Sequence, residues 1–331
     1  MFSALADGYA TTNFNHPASN LNQILNFNFS WGDPNINLAK FTIDKSDSVL
    51  GIHVDMGLGK TMRWYNAFDP ASQEHKALRY FEQMYVIVKP KNAHGMEIDY
   101  GQFGTWVGAE PTESHLNFNY SRSLLFSWSD PYYHFGLRTL IPVTKSFTAG
   151  VQLVNAWNTI QGNHDMKNVG FTAMFTQPKF GWNNSYYVGN NHVDNSPGVR
   201  HIYNTVITLN PTEKSSTYIE YDYARDNHVG GYDSWYGIAG ASRYQITKMF
   251  SFAGRAEWFK DANGFSTGKK QRLKEFTATL EYKYNSHLIS RVEYRRDSSD
   301  IPFFDRGAQT ARVKSQGTLT LGIMAILGPL K

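Results

Sequence analysis

The sequence contains no cysteine and no long apolar run. Without cysteine there is no disulfide framework and no cysteine-ligated metal site. The longest apolar stretch, Leu321 to Leu327, is far shorter than the ~18 to 20 residues that a membrane-spanning helix requires. Folds built on disulfides or on transmembrane helices are therefore excluded.

An excess of charge of one sign is also missing. The net charge is +4, from 32 Lys and Arg against 28 Asp and Glu, and the basic residues are scattered. A nucleic-acid partner is therefore not expected. The 11 histidines form no HExxH motif or other metal-ligand spacing, so the sequence predicts neither a metal site nor a cofactor.

Aromatic side chains, by contrast, are abundant. They supply 15% of the residues in a chain whose mean hydropathy is only −0.46. A closed β-barrel in a membrane reconciles these two values, because every backbone group is paired around the ring and only alternate residues must be apolar. Such a protein is hydrophilic on average and still crosses a bilayer.

Period-two alternation of apolar and polar residues runs through nearly the whole chain, whereas helical periodicity is almost absent. A short helix is expected only within a loop, between Pro70 and Tyr80. About sixteen strands are predicted, each of about 10 to 15 residues. They cover residues 3–14, 35–45, 48–58, 79–89, 94–106, 132–142, 146–157, 168–177, 179–189, 199–210, 214–225, 233–246, 249–260, 272–284, 287–297 and 315–327.

The connections between these strands are sorted by length. Short turns, such as 45–48 and 142–145, follow the even-numbered strands. Long loops rich in Gly, Asn, Asp and Pro follow many odd-numbered strands, at 15–34, 59–76, 108–130, 190–197 and 296–311. This pattern is typical of an outer-membrane barrel. We therefore predict an all-β fold, a transmembrane antiparallel up-and-down barrel that forms one domain over residues 1–331.

Charged residues share one side of each strand. In the fourteenth strand Glu275 and Glu281 alternate with Phe276 and Leu280. A cation facing lipid at mid-depth would cost roughly 2 to 4 kcal/mol, so the charged side must face inward. About sixteen strands enclose an aqueous channel rather than an apolar core.

The longest loop, near 107–131, is predicted to fold into this lumen. The candidate pore-lining and constriction residues lie on this loop and on the inward faces of the strands; they are Glu110, Glu113, Arg122, Arg138, Arg243, Arg255, Glu257, Arg291, Glu293 and Arg295. Two interpretations of the charges stay open. They can form a cross-strand ladder that keeps the wall rigid, or the arginines can face Glu110 and Glu113 and set up a transverse field on passing solutes.

The first strand has an outer face made only of small residues: Ala4, Ala6, Gly8 and Ala10. Asp7 marks the opposite face as inward. Small residues let another surface come close, so this face is predicted to lie in a subunit contact of a homotrimer. The alternative is a smooth face toward lipid.

Segments spread along the chain carry a family resemblance. They are Asn37–Phe41, Asn119–Phe126 with Pro131–Arg138, Val154–Asn158, Arg255–Phe259 with Asp261, and Arg291–Asp297 with Pro302–Phe304. In this order they resemble the OmpL-like putative β-barrel porin family of Gram-negative bacteria. The chain departs from the usual outer-membrane pattern at its end, where Leu327–Lys331 stand in place of a terminal aromatic residue.

The resemblance implies an outer-membrane pore, whose partners would be the lipid bilayer with its lipopolysaccharide and small hydrophilic solutes. In sixteen-stranded general porins the loop after the fifth strand forms the constriction, which implies that role for Glu110, Glu113 and Arg122. No secretory signal peptide is visible after Met1, so an exported chain of this sequence would be the mature form.

The expected function is passive diffusion through a channel, without enzymatic activity. One alternative is a plugged barrel whose surface loops recognise a glycan or a host protein. A second alternative is a membrane-embedded hydrolase, for which Ser127 and His134 are isolated candidates without a motif.

Overall fold

The computed structural model describes residues 1–67, 69–162, 167–192 and 196–328. Its strands are β1 (Phe2–Asn13), β2 (Asn35–Ser46), β3 (Leu50–Leu58), β4 (Phe81–Val88), β5 (Glu97–Gly104), β6 (Tyr133–Pro142), β7 (Phe147–Val154), β8 (Asn168–Gln177), β9 (Phe180–Gly189), β10 (Gly198–Thr212), β11 (Ser215–His228), β12 (Gly231–Gln245), β13 (Phe250–Asp261), β14 (Gln271–Lys283), β15 (Leu288–Ser299), β16 (Phe304–Arg306), β17 (Gln309–Val313) and β18 (Ser315–Leu327).

Sixteen of these strands close into one antiparallel barrel, in the order β1-β18-β15-β14-β13-β12-β11-β10-β9-β8-β7-β6-β5-β4-β3-β2. The closure joins the two ends of the chain, because Ala6 pairs with Ala325 on β18 and with Ala39 on β2. The predicted fold class is confirmed. Closure leaves no unpaired strand edge, which is the condition for placing a sheet in a bilayer.

The structure corrects three details of the predicted strands. β16 and β17 pair as a hairpin inside the last long loop, where no strand was expected. β11 and β12 extend until only Val229 and Gly230 separate them, so this connection on the long-loop side is a tight turn. β5 begins at Glu97 rather than at residue 94. In the second case strand pairing continues past the region where sequence alternation is clear.

Helical segments occur only in loops of the described ranges. They are α1 (Lys60–Tyr65), α2 (Pro70–Glu74), α3 (Leu124–Trp128) and the single 3₁₀ turns Leu78–Tyr80 and Ser114–Leu116. The helix expected between residues 70 and 80 is present as α2 and the 3₁₀ turn after it; α1 and α3 were not predicted. Over the same ranges, no helix has the length and apolar character to span a membrane.

Alternation along the strands sorts the side chains as predicted. On β14 the side chains of Phe276 and Leu280 are exposed on the outer surface, whereas Glu275 and Glu281 are buried inside. The same pattern holds on β11, β13 and β15. Because lipid tolerates the apolar set and not the charged one, this alternation alone fixes which face of each strand is inward.

The barrel interior also contains two apolar clusters. In one, Leu124 and Leu125 of α3 pack with Trp235 and Phe259 of the wall. In the other, Phe27, Phe126 and Tyr132 lie together, with rings 5.3 to 5.6 Å apart between their centroids. Loops therefore occupy a large part of the lumen, and the space left for water depends on how they lie.

Candidate functional site

The loop between β5 and β6, residues 105–132, lies inside the barrel. Its side chains Val107, Tyr120, Leu124 and Leu125 are all buried. An irregular segment can be buried only when its backbone N–H and C=O groups find partners. The inward-facing charged residues of the wall supply many of those partners.

Arginines on β13 and β15 donate to the carbonyl groups of this loop. Arg255 donates through Nη1 to the carbonyl oxygen of Ser121 at 2.8 Å and through Nη2 to that of Arg122 at 3.2 Å. Arg291 reaches the carbonyl oxygens of Ser114 at 2.6 Å and Asn117 at 2.7 Å. Such charge-assisted bonds are stronger than neutral ones, so the loop is held firmly against this wall.

Carboxylates on the same strands accept from the amide groups of the loop. Glu293 accepts from the Tyr120 and Ser121 N–H groups at 2.5 and 2.9 Å. Glu257 accepts from the Leu124 N–H at 2.8 Å, where α3 begins. Ser123 caps α3, since its hydroxyl accepts from the Phe126 N–H at 2.9 Å. These bonds fix the course of the loop from residue 120 to residue 126.

The arginines also form ion pairs with carboxylates along the wall. The pairs are Arg255–Glu257 at 3.1 Å, Arg255–Glu275 at 3.2 Å, Arg291–Glu281 at 2.7 Å, Arg243–Glu281 at 2.6 Å and Arg295–Asp297 at 2.8 Å. Three of these pairs join different strands, whereas Arg255–Glu257 and Arg295–Asp297 each lie along one strand; together they form the ladder. Glu110 of the loop joins it through Arg255 at 2.8 Å.

The ladder is largely sealed from water. The side chains of Arg255, Arg291 and Arg295 are 0 to 1% exposed, whereas that of Arg243 is 33% exposed. Arg122 is buried too, with Nη1 donating to the Tyr120 carbonyl oxygen at 2.6 Å. An ion in the lumen would therefore meet the loop rather than most of these guanidinium groups.

Two of the predicted residues lie away from the ladder. Arg138 on β6 pairs with Asp99 at 2.6 Å and lies over the Phe103 ring at 4.5 Å. Glu113 faces the opposite wall, where it pairs with Lys40 of β2. Most of the sequence-predicted set thus lies in the ladder or bonds the loop, whereas Arg138 and Glu113 lie elsewhere.

Lys40 is the centre of a cluster that sequence reasoning missed. Its ammonium group contacts Asp55 at 3.1 Å, Glu82 at 3.4 Å and the Glu113 carboxylate. Burial alone would raise the pKa of Glu113, but the Lys40 ammonium and its hydrogen bond hold that pKa below its ordinary value. The sequence did contain one signal for this cluster: Lys40 is a charged residue among the apolar residues of Asn37–Phe41.

Two cavities lie on either side of this cluster. One, of about 300 Å³, lies toward the long loops and is lined by Glu82 and Tyr132. The other, of about 220 Å³, lies toward the short turns and is lined by Lys40 and Asp55. Gln83 and Glu113 line both cavities. The remaining open space in this part of the lumen thus runs along β2 to β4, on the side of the loop away from the ladder.

Asp7 of β1 anchors the loop on a third side. It accepts hydrogen bonds from the Ser114 hydroxyl at 2.6 Å, the Tyr120 hydroxyl at 2.6 Å and the Asn37 amide at 2.8 Å. The opposite face of β1 carries Ala4, Ala6, Gly8 and Ala10 on the outer surface of the barrel. The inward direction inferred for Asp7 is therefore correct.

A family model described as "Putative beta-barrel porin-2, OmpL-like" matches residues 1–327. This match confirms the resemblance predicted from the sequence segments. No curated protein matches the chain in sequence.

Solved outer-membrane barrels share the fold at low sequence identity. The chain aligns with an anion-selective porin from Comamonas acidovorans at 9% identity and a TM-score of 0.66, covering 99% of both chains. The alignment with the outer-membrane channel DcaP of Acinetobacter baumannii has 8% identity and a TM-score of 0.65, and it covers 99% of this chain and 96% of the other. The alignment with the trimer form of OmpT from Vibrio cholerae has 12% identity and a TM-score of 0.63, and it covers 99% of this chain and 98% of the other.

Replacing Arg255 should destabilise the barrel strongly. Arg255→Met leaves Glu110, Glu257 and Glu275 without their shared buried partner, and breaking a buried pair costs about 3–5 kcal/mol. Arg272→Met is the matched control, because Arg272 pairs with Asp300 on the exposed surface and such a pair contributes about 0–1 kcal/mol. Urea unfolding in detergent micelles measures both; equal unfolding midpoints would contradict the anchoring role.

Proposed function

Since the chain belongs to the OmpL-like family of putative β-barrel porins and is an outer-membrane porin, we propose that it is a narrow diffusion channel for small ions and hydrophilic solutes. The observation that carries this proposal is the pair of cavities that meet at Gln83 and Glu113. Solutes pass along β2 to β4, and the loop of residues 105–132 forms the constriction.

The position of the loop supports this path. Hydrogen bonds to Arg255, Arg291 and Glu293 close the space between the loop and the strands β13 to β15. On the other side the loop meets β2 and β4 mainly through the Lys40–Glu113 pair and its acidic neighbours. Glu113 lines both cavities, so its side chain lies where they meet.

The charges around this point give the channel a preference for cations. One ammonium group, that of Lys40, lies among the carboxylates of Asp55, Glu82 and Glu113. The excess of negative charge in a narrow, weakly screened passage attracts cations and repels anions. Of the predicted constriction residues, Glu113 therefore acts on passing ions, whereas Glu110 holds the loop in place.

The outer face of β1 forms a homotrimer contact. Its small side chains allow a second barrel to approach closely, and the similar barrel OmpT has been solved in a trimer form. In the Gram-negative outer membrane, the remaining outward residues, such as Phe276 and Leu280, face lipid.

A second candidate function is recognition by the surface loops. A cavity of about 620 Å³ lies at the long-loop end and is lined by Trp31, Trp64 and Trp128 together with asparagine side chains. Indole rings and amide groups suit a glycan, and the apolar clusters inside the barrel favour a plugged lumen. A hydrolase has less support: within the described residues no hydrogen bond joins Ser127 to His134, which stacks on Tyr187 with ring centroids 4.7 Å apart.

The folded protein in a planar bilayer should give small stepwise conductances, because a narrow aqueous path remains beside the loop. In liposome swelling, small sugars should enter and larger oligosaccharides should not. Protein left unfolded in urea is the control for both measurements. A correctly folded barrel that conducts nothing would favour the plugged, ligand-recognising alternative.

Glu113→Gln should lower the preference for cations, measured as a shift of the reversal potential toward zero in a salt gradient. Glu110→Gln makes the same chemical change in the same loop, but the Glu110 side chain is only 2% exposed beneath Arg255, against 14% for Glu113. It should therefore leave the reversal potential unchanged. Equal shifts in both variants, or no shift in either, would contradict the proposed ion path.

The particle mass in mild detergent tests the trimer. Light scattering should give three times the 37.7 kDa of one chain. Ala6→Trp places a bulky ring on the contact face and should give single barrels. Ala149→Trp, on the outer face of β7 away from β1, should leave the trimer intact. A wild-type particle of one chain would refute the contact.

A further inference from the structure

Three carboxylates meet at the far end of the loop. Asp130 lies just after α3, whereas Glu220 and Asp222 are successive inward residues of β11. Oxygen atoms of the three groups all lie within 4.8 Å of one another. The loop of residues 105–132 thus ends against an acidic patch of the wall, on different strands from the arginine ladder.

These carboxylates are buried and poorly satisfied. Asp130, Glu220 and Asp222 are 7%, 1% and 0% exposed. Among the described residues, both oxygens of Asp130, Oε2 of Glu220 and Oδ2 of Asp222 make no hydrogen bond of standard geometry. The Asp130 carboxyl group and the Ser129 hydroxyl lie within reach of Asp222, and the Ala109 N–H lies within reach of Glu220. The Asn204 amide donates to the other oxygens, to Glu220 Oε1 at 3.1 Å and to Asp222 Oδ1 at 2.6 Å.

No cationic side chain balances the group. In the part of the chain that the structure describes, none of the three carboxylates lies within ion-pair distance of a Lys, Arg or His. The other acidic groups of the lumen differ in this respect, since Glu275 has Arg255 and Glu113 has Lys40. Burying several like charges without a partner is very unfavourable, so a proton or a metal cation must balance them.

One shared proton would leave two of the three buried negative charges unbalanced, whereas a divalent cation would leave only one. Oxygens bound to one Ca²⁺ lie about 2.3–2.6 Å from it, so opposite ligands are separated by up to about 5 Å. One oxygen of each residue lies within 4.8 Å of the others, close enough for all three to reach one ion of this size. The four oxygens without a hydrogen bond of standard geometry also come from all three residues, which is what a shared cation would use. Burial, together with the charges of Asp222 and Glu220, raises the pKa of Asp130, so protonation is the competing solution.

Two neighbours support a ligand site. Ser129 is buried, its hydroxyl makes no hydrogen bond of standard geometry, and it lies next to the Asp222 carboxylate. Gly108 has a φ of +94°, and a Cβ atom there would lie 2.6 Å from Asp130 Oδ2. The chain therefore turns back at Gly108 without a side chain and leaves the Asp130 carboxylate free to face Glu220 and Asp222.

We propose that Asp130, Glu220 and Asp222 bind one hard divalent cation, Ca²⁺, inside the barrel. The ion ties the end of the loop to β11, while the ladder ties its middle to β13 and β15. The loop is thereby fixed at both places against the wall, independently of which solute passes on the other side. The site was not expected from the sequence, because the three carboxylates form no motif and meet only through closure of the barrel and folding of the loop.

The test uses the full chain refolded in detergent without lipopolysaccharide, treated with a chelator and then titrated calorimetrically with CaCl₂. The wild type should bind Ca²⁺ at one saturable site and should unfold at a higher urea concentration in its presence. Asp222→Asn should weaken binding at least tenfold. Asp47→Asn, an exposed carboxylate in the β2–β3 turn, is the control and should bind Ca²⁺ like the wild type.

Folding of the variants is checked separately. Removing one of three mutually repelling charges should make the chelated Asp222→Asn barrel more resistant to urea than the chelated wild type, so its loss of Ca²⁺ binding cannot be ascribed to misfolding. Glu220→Gln provides a second variant with the same expected result. Absence of saturable Ca²⁺ binding by the folded wild type would overturn the proposal in favour of protonation. Undiminished Ca²⁺ binding by both variants, or saturation by Mg²⁺ without any response to Ca²⁺, would also overturn it.

Discussion

The structure depends on one constraint: an irregular loop inside a membrane barrel must find a partner for every buried polar group. The wall meets this constraint with charged side chains rather than with strands. Arg255 and Arg291 donate to loop carbonyl groups, and Glu293 and Glu257 accept from loop amides. The charges that alternation drives inward are therefore the groups that let the loop stay there.

This anchoring makes the lumen asymmetric. On the side of β13 to β15, the guanidinium groups and carboxylates form hydrogen bonds with the loop and ion pairs with one another. Water is excluded from most of this region. On the side of β2 to β4, a single ammonium group, that of Lys40, lies among three carboxylates, with a cavity on each side. Buried ion pairs with extra hydrogen bonds give rigidity, whereas charges that line open space can act on a passing ion. The ladder is buried against the loop, whereas Lys40 and Glu113 line a cavity.

The two interpretations of the charged residues apply to different residues. The ladder accounts for Arg255, Glu257, Arg291 and Arg295, which are sealed. The proposed field on passing solutes would come from the Lys40–Glu113 region on the other wall. The acidic group at Asp130 belongs to neither, since no side-chain cation lies in ion-pair distance of it among the described residues. Position along the wall therefore decides the role of a charge more than its residue type does.

The sequence by itself determined the barrel, its sixteen strands and the inward direction of the charged faces, because alternation and loop length are local signals that lipid enforces on every strand. It also indicated that the loop after the fifth strand matters. Only the tertiary structure decided that Glu110 and Glu113 point to opposite walls, that Lys40 faces Glu113, and that Asp130 meets Glu220 and Asp222. Those contacts join residues far apart in the chain, and they depend on barrel closure and on the course of an irregular loop, which no periodic pattern encodes.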